Sequence, residues 1–416
     1  MDKALTAIII TALIYALICG STIPWTQKSM NLAECMDPNL EYVKFEQMSK
    51  KCGYVFDEIH YVRAAYNYLN GIAINLEHPP LAKALIAASL KILGTSPTAW
   101  RLPSVIFFFI SLLSIGLITR HFTDRVATII LAQTFLALDT VVFLLGGLAM
   151  LDIFLLGFTL LAVFSYFKGR WKCSAIFIGL AMLTKSSGLF LLPIIPLHKL
   201  LDKSVPLKKW FMLSVQYILT ALTVYFAGLA IFTSYFHISP TPVHYFVDAL
   251  KYISSVTIGT FTGDFIMLFG SNPLDWILGK IKIYPVYDEV LETANLGKIH
   301  IKYVLVTPYT WVFQLPCIIY QAYLTLRFKE NIEYFTFTVI WILFTYAPYI
   351  VLFNVLHRFT MKTYHILTIS MIYVGYSLLG EKSGCHRFLL LCILLMEIFW
   401  FLHNFPIRTE FMEGFL

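Results

Sequence analysis

Charge is scarce in this sequence. Asp, Glu, Lys and Arg make up 13% of its 416 residues and hydrophobic residues 58%, and the mean hydropathy is +0.74. A soluble domain carries about 25% charge and roughly 45–50% apolar residues. The scarcity therefore excludes an ordinary soluble globule and leaves a polytopic membrane protein. The charges that do occur are spread over several loops, so the net +7 gives no ground for nucleic-acid binding. No Cys and His fall at zinc-site spacings, and no low-complexity tract, heptad array or inverted repeat stands out. Of the seven cysteines, Cys19, Cys173, Cys317 and Cys392 read as small residues in or beside apolar spans. Cys35 and Cys52 fall together in one polar loop, where a disulfide and a pair of free thiols are equally open readings.

Long hydrophobic runs are abundant. Runs near 4–20, 102–119, 126–142, 146–167, 172–184, 187–201, 210–235, 303–326, 334–355, 364–380 and 387–404 suggest about eleven spans, given about 17–25 residues per crossing. The expected fold class is an all-α polytopic bundle forming one integral-membrane domain over 1–416. Residues 1–20 read as a retained signal anchor. With the N-terminus inside, Arg120, Arg125, Lys168, Arg170, Lys172, Lys199, Lys203, Lys208, Lys209, Arg327, Lys329, Lys382 and Arg387 fall in cytoplasmic loops. Two long outer segments remain, 21–100 and 237–302, and residues 303–416 form the C-terminal membrane helices. Long loops in a compact membrane protein usually carry function.

The first outer segment carries the chemistry. Its run Tyr54-Val-Phe-Asp-Glu-Ile-His60 opens a helix expected over 57–71, with Gly71 as its stop. Pro79 and Pro80 start a second over 80–93, with Leu81, Leu85, Ala88 and Ile92 on one face and Lys83 and Lys91 on the other. Both helices are expected to lie in the membrane interface. Asp57 is the candidate general base, and as an N-cap it would be kept ionised by the helix terminus. Glu58 follows it about 100° round the helix. Asp152, near the outer end of its span, is the second notable acid, since an intramembrane carboxylate is costly unless it serves a purpose. Asp139 ranks below it. Arg101, Lys185, Arg358 and His365 lie on the outer side and suit a phosphate. Together these residues describe an outer cleft with a base and cations beside lipid, fitted to a sugar carried on a polyprenyl phosphate.

These motifs resemble the protein O-mannosyltransferases, GT-C integral-membrane glycosyltransferases. Phe56-Asp-Glu58 is similar to that family's Asp-Glu motif, and His78-Pro-Pro-Leu-Ala-Lys83 to its His-Pro-Pro-Leu-x-Lys segment. Trp100-Arg-Leu-Pro-Ser104, Ala149-Met-Leu-Asp152, Gly179-Leu-Ala-Met-Leu-Thr-Lys185 with Gly188-Leu-Phe190, Ser271-Asn-Pro-Leu-Asp-Trp276 and Thr363-Tyr-His365 follow in order. The resemblance implies a dolichyl- or polyprenyl-phosphate mannose donor, a Ser/Thr hydroxyl of a protein as acceptor, and inversion at the anomeric carbon. It implies Asp57 as base, Glu58 positioning the acceptor or a neighbouring cation, and Arg101 at the donor phosphate. His78 and Asp152 support these. The sequence gives no evidence for a required metal, and a divalent ion near Asp57 or Asp152 stays open. The sequence departs from the family pattern at three places. A large sugar-binding insert is absent from 237–302, which suggests a short prokaryotic form. Gly146-Gly147 stands where an Arg is expected, and Leu274 replaces a Trp.

The resemblance places the site on the extracytoplasmic face of a cell membrane, or on the luminal face in a eukaryote. Enzymes that move aminoarabinose onto lipid A share the Asp-Glu, Pro-Pro-Leu and Arg-Leu-Pro-Ser pieces, so a lipid or glycan acceptor is the alternative. A transporter ranks third, because the acids cluster near the outer surface rather than at the midplane. Nothing in the sequence fixes the oligomeric state.

Overall fold

The computed structural model describes residues 2–26, 32–39, 51–202, 205–236, 241–255, 270–293, 297–382 and 384–409. Parts of the second outer segment, 237–240, 256–269 and 294–296, lie outside them, as do 27–31 and 40–50 of the first. The molecule is mostly helical. Its principal helices are α1 (Lys3–Ser21), α2 (Glu58–Leu69), α3 (Leu81–Leu93), α4 (Pro97–Phe122), α5 (Val126–Leu138), α6 (Thr140–Gly147), α7 (Leu151–Phe167), α8 (Trp171–Thr184), α9 (Leu207–Phe236), α10 (Pro242–Ser255), α11 (Ile332–Thr345), α12 (Ile366–Leu379) and α13 (Gly384–His403).

Among the described residues five helices are long and apolar enough to cross a membrane, or six if the bent pair α5–α6 is one span. Three further runs of the expected eleven form shorter apolar helices, Leu151–Phe167, Trp171–Thr184 and Ser186–Leu201. In α1, Ile8, Ala12, Ala16 and Cys19 are buried at helical spacing, while Ile10, Ile14 and Leu17 face outward. That is the pattern of a helix held by one stripe and bathed in lipid elsewhere. The α5–α6 pair bends by 68° at Asp139. Asp139 Oδ1 accepts from the Val141 and Val142 amides at 2.9 Å, and Oδ2 from Trp311 Nε1 at 2.9 Å and the Tyr373 hydroxyl at 2.7 Å. Four donors saturate this buried carboxylate, so its place in the molecule is the bend itself.

The polar ends sort by side. Asp2 pairs with Arg120, His121 with Glu333, Arg125 with Glu381, and Lys382 with Glu330, all at one end of the bundle. Residues 22–26, 53–58, 78, 149–152 and 185 meet at the other.

A small sheet departs from the all-α expectation. Strands β1 (Ile283–Thr293), β2 (Gly297–Val306) and β3 (Ile407–Thr409) form an antiparallel sheet in the order β1-β2-β3. Residues 303–306 of the run expected to be a span belong to β2, and the helix that follows covers only Gln314–Phe328. Ile299, Ile301 and Tyr303 are buried, with His300 and Lys302 more open between them, the period of two that favours a strand, and Val304 to Val306 are buried on both faces. Cys35 and Cys52 form a disulfide, with Cα atoms 5.8 Å apart.

Candidate active site

The adjacent acids Asp57 and Glu58 occupy different surroundings. Glu58, in the first turn of α2, is fully buried. Its Oε1 accepts from Arg101 Nε at 2.7 Å and the Ala149 amide at 2.9 Å. Its Oε2 accepts from Arg101 Nη2 at 2.6 Å and the Val55 amide at 2.9 Å. Arg101, also fully buried, spends its remaining donors on Ile23 O (3.0 Å), Thr26 Oγ1 (2.8 Å) and Gly53 O (3.2 Å). The Tyr303 ring covers the guanidinium at 5.8 Å. A guanidinium has five N–H donors, and all five are engaged. Arg101 is thus not placed to hold a donor phosphate, and Glu58 has no lone pair left for an acceptor. The pair instead ties the first loop, α4 and the turn before α7 into one body. Gly53 is obligatory here: its φ is +73°, and a Cβ would stand 2.4 Å from Thr26 O.

Asp57 is the N-cap of α2, but its side chain makes no capping bond. It is half-buried. Burial pushes its carboxyl up to about 7; the Asp152 and Glu77 charges act in the same direction, and the Lys185 ammonium opposes them. The N-cap expectation of a firmly ionised carboxylate therefore gives way to a group poised near neutrality, because desolvation exceeds the helix-terminus effect.

The Glu77-His78 turn is held from behind. Lys83 Nζ donates to Asn75 O and to His78 O (2.7 Å), and the Tyr245 hydroxyl donates to His78 O at 2.5 Å. Lys83 is completely buried, not on a solvated face as its sequence position suggested. Leu85, Ala88 and Ile92 take the more open side of α3 instead. The reason is that the peptide carbonyls of the turn supply the ammonium with partners inside. Burial also drives His78 well below the usual imidazole range, so the ring is neutral at pH 7.

Lys185 and Asp152 form a buried ion pair at 2.7 Å. Asp152 stands in the first turn of α7 and Lys185 just past the end of α8. Lys185 also lies 4.4 Å from the Tyr364 ring centroid. A cavity of about 160 Å³ opens here, lined by His78, Lys185, Ser187, Tyr349, Arg358 and Tyr364 with apolar neighbours. His78, Lys185 and Arg358 thus line one cavity. Asp57 is not a lining residue, although its carboxyl feels the charges of Lys185 and Asp152. His365 is a correction: it is fully buried, its Nε2 lies 2.7 Å from Gln314 Oε1, and its ring packs on Trp311 at 4.7 Å. It does not reach the cavity. Lys362 also turns away, donating to Lys282 O at 2.8 Å and Thr307 Oγ1 at 3.0 Å. Glu77 and Tyr245 carried no role in the sequence reading. Among the described residues no group of three His, Cys, Asp or Glu is placed to share a metal ion. A larger groove of about 1140 Å³ runs along α9 beside Lys208 and Lys209 and contains none of these residues.

Two family models, each described as dolichyl-phosphate-mannose-protein mannosyltransferase, match residues 77–235 and 42–104. A polyprenol-phosphate-mannose–protein mannosyltransferase of Corynebacterium glutamicum is 27% identical over 179 residues, covering 33% of this chain and 34% of that protein. The chain therefore spans about a third of that relative's length. Among solved structures, ArnT from Cupriavidus metallidurans bound to undecaprenyl phosphate is similar at TM-score 0.55, with 13% identity over 92% of this chain and 62% of that one. The archaeal oligosaccharyltransferase AglB from Archaeoglobus fulgidus, in complex with an inhibitory peptide and a dolichol-phosphate, is similar at TM-score 0.52. Its identity is 15%, over 94% of this chain and 54% of that one. These two likenesses show the fold, that of the GT-C membrane glycosyltransferases.

Proposed function

We propose, from the match of residues 42–235 to two dolichyl-phosphate-mannose-protein mannosyltransferase family models, that the protein transfers mannose from a polyprenyl-phosphate donor to Ser or Thr hydroxyls of proteins. The observation that carries the proposal is the placement of Asp57, which opens α2 without a capping bond and feels the charges of the Asp152–Lys185 pair, whose lysine lines one cavity with His78 and Arg358. Burial raises the Asp57 carboxyl to about 7. A general base works best with its pKa near the operating pH.

In the proposed step the ionised Asp57 takes the proton of the acceptor hydroxyl. The hydroxyl oxygen forms a bond to the anomeric carbon as the bond from that carbon to the phosphate oxygen breaks, which inverts the centre. The polyprenyl phosphate leaves with the bonding pair. Lys185 and Arg358, which line the cavity, offset the charge that grows on it. Neutral His78 supplies a polar edge on the same wall. Glu58 and Arg101 act through position, fixing the peptide that carries Asp57. The site lies at the end of the bundle opposite the Asp2–Arg120 pair, which we assign to the extracytoplasmic face.

The test uses membranes carrying wild type or Asp57→Asn, labelled polyprenyl-phosphate mannose, a Ser/Thr-rich peptide and bulk lipid. The expected result is label on the peptide, lost by a factor of about 10²–10⁴ in turnover in the variant. Label on lipid instead would give the acceptor to a lipid or glycan, and no Asp57-dependent label on either would refute the transferase reading.

A further inference from the structure

Helix α10 presents three distinct faces. Tyr245 and Ala249, four residues apart, are buried against the protein. Val243, Val247 and Leu250 follow at helical spacing on a second face and are 62%, 39% and 43% exposed. The third face carries His244, Asp248 and Lys251, with the Asp248 carboxylate 3.2 Å from the His244 ring and 3.8 Å from the Lys251 ammonium. A helix that binds protein on one side, and divides its remaining surface between an aliphatic stripe and a charged one, suits a boundary between oil and water.

Its height in the molecule agrees. Helix α9 has 30 residues, about 45 Å at 1.5 Å each, which exceeds the roughly 30 Å of hydrocarbon in a bilayer. Lys208 and Lys209 mark one end. About 20 residues further, one bilayer thickness on, the chain reaches Leu229. Phe246 of α10 meets α9 just short of that level, its ring 6.2 Å from Tyr225 and 5.9 Å from Phe226. Helix α10 therefore docks where the hydrocarbon ends on the side away from the two lysines. Leu250 also lines the 160 Å³ cavity, and the Tyr245 hydroxyl is bonded to His78 O.

We infer that α10 lies in the membrane interface on the face opposite Lys208 and Lys209, with Val243, Val247 and Leu250 among lipid, and forms the lipid-side wall of the cavity. This holds whatever reaction the cavity serves. The polar stripe carries both charge signs, so zwitterionic lipid is a sufficient partner.

The experiment uses the full chain with the exposed Cys173 and Cys385 replaced by Ser, carrying Val247→Cys or Lys251→Cys labelled with an environment-sensitive fluorophore. Both proteins are reconstituted in phosphatidylcholine vesicles, and the signal of the chain without an added cysteine is subtracted. The label at position 247 is expected to be quenched by shallow spin-labelled lipid and to be several-fold less sensitive to aqueous iodide than the label at position 251. Equal iodide access at the two positions would overturn the inference. So would a label at 247 that neither quencher reaches. The label at 251 reports that the helix has folded with its polar face in water.

Discussion

Replacing Arg101 with Met separates a structural role for this residue from a donor-binding one. The substitution removes the five hydrogen bonds that the guanidinium makes inside the fold. Glu58 keeps its two backbone donors, Val55 and Ala149, but becomes a buried charge without a counter-ion. Breaking a buried pair from one side costs about 3–5 kcal/mol. The loss of partners at Ile23 O and Gly53 O adds to that, and the Met side chain restores part of the packing. The expected destabilisation is therefore about 3–5 kcal/mol, read as earlier unfolding of the purified protein in detergent on heating or denaturant titration. The double variant Glu58→Gln/Arg101→Met leaves no unpaired charge. It should be more stable than the sum of the two single variants by about 1–3 kcal/mol. The folded fraction of Arg101→Met should bind donor as wild type does. If Arg101→Met unfolds like wild type while its donor KM rises, the argument that all five donors are committed is wrong and the phosphate assignment returns.

The pH dependence carries a sign. A base raised to about 7 must be ionised to work, so the transfer rate should climb with pH up to about 7 and then level off. Asp152→Asn removes a charge that raises Asp57, and its pH–rate profile should move to lower pH. Lys185→Met removes the charge that lowers it, and the profile should move to higher pH; two profiles that coincide with wild type would detach Asp57 from the rate. Replacing both Cys35 and Cys52 by Ser opens a loop of 17 residues, which by loop entropy should cost about 3 kcal/mol. Unfolding curves of oxidised and double-Ser protein measure this, and curves that superimpose would refute it.

The sequence spoke most clearly where one physical demand dominates. Hydrophobic run length located α1, α4, α9 and α13. The helices starting at Glu58 and Leu81 lie where proline, glycine and spacing placed them. Run length misled at 303–326, because a buried strand and a membrane helix are equally apolar. The alternation Ile299, Ile301, Tyr303 with His300 and Lys302 between was the available signal. Cations were harder to judge than acids. Arg101, Lys185 and His365 look alike in sequence, yet only Lys185 lines the cavity. Which acceptors a buried donor finds depends on distant segments, such as Ile23 and Gly53 for Arg101 or Gln314 for His365. Glu77 has no legible role in the sequence for the same reason: its influence on Asp57 arises from a turn folded back by Lys83.

The order of the two acids cannot be reversed. Glu58 needs its longer side chain to bring both oxygens to a guanidinium on another helix while still reaching the Val55 and Ala149 amides. Asp57 has no such span to cover. A chain reading Glu-Asp would keep composition and charge, yet the acid at position 58 would be one methylene shorter than the side chain that now reaches Arg101 and both amides. One methylene group, moved by one position, thus decides whether the first loop stays tied to α4.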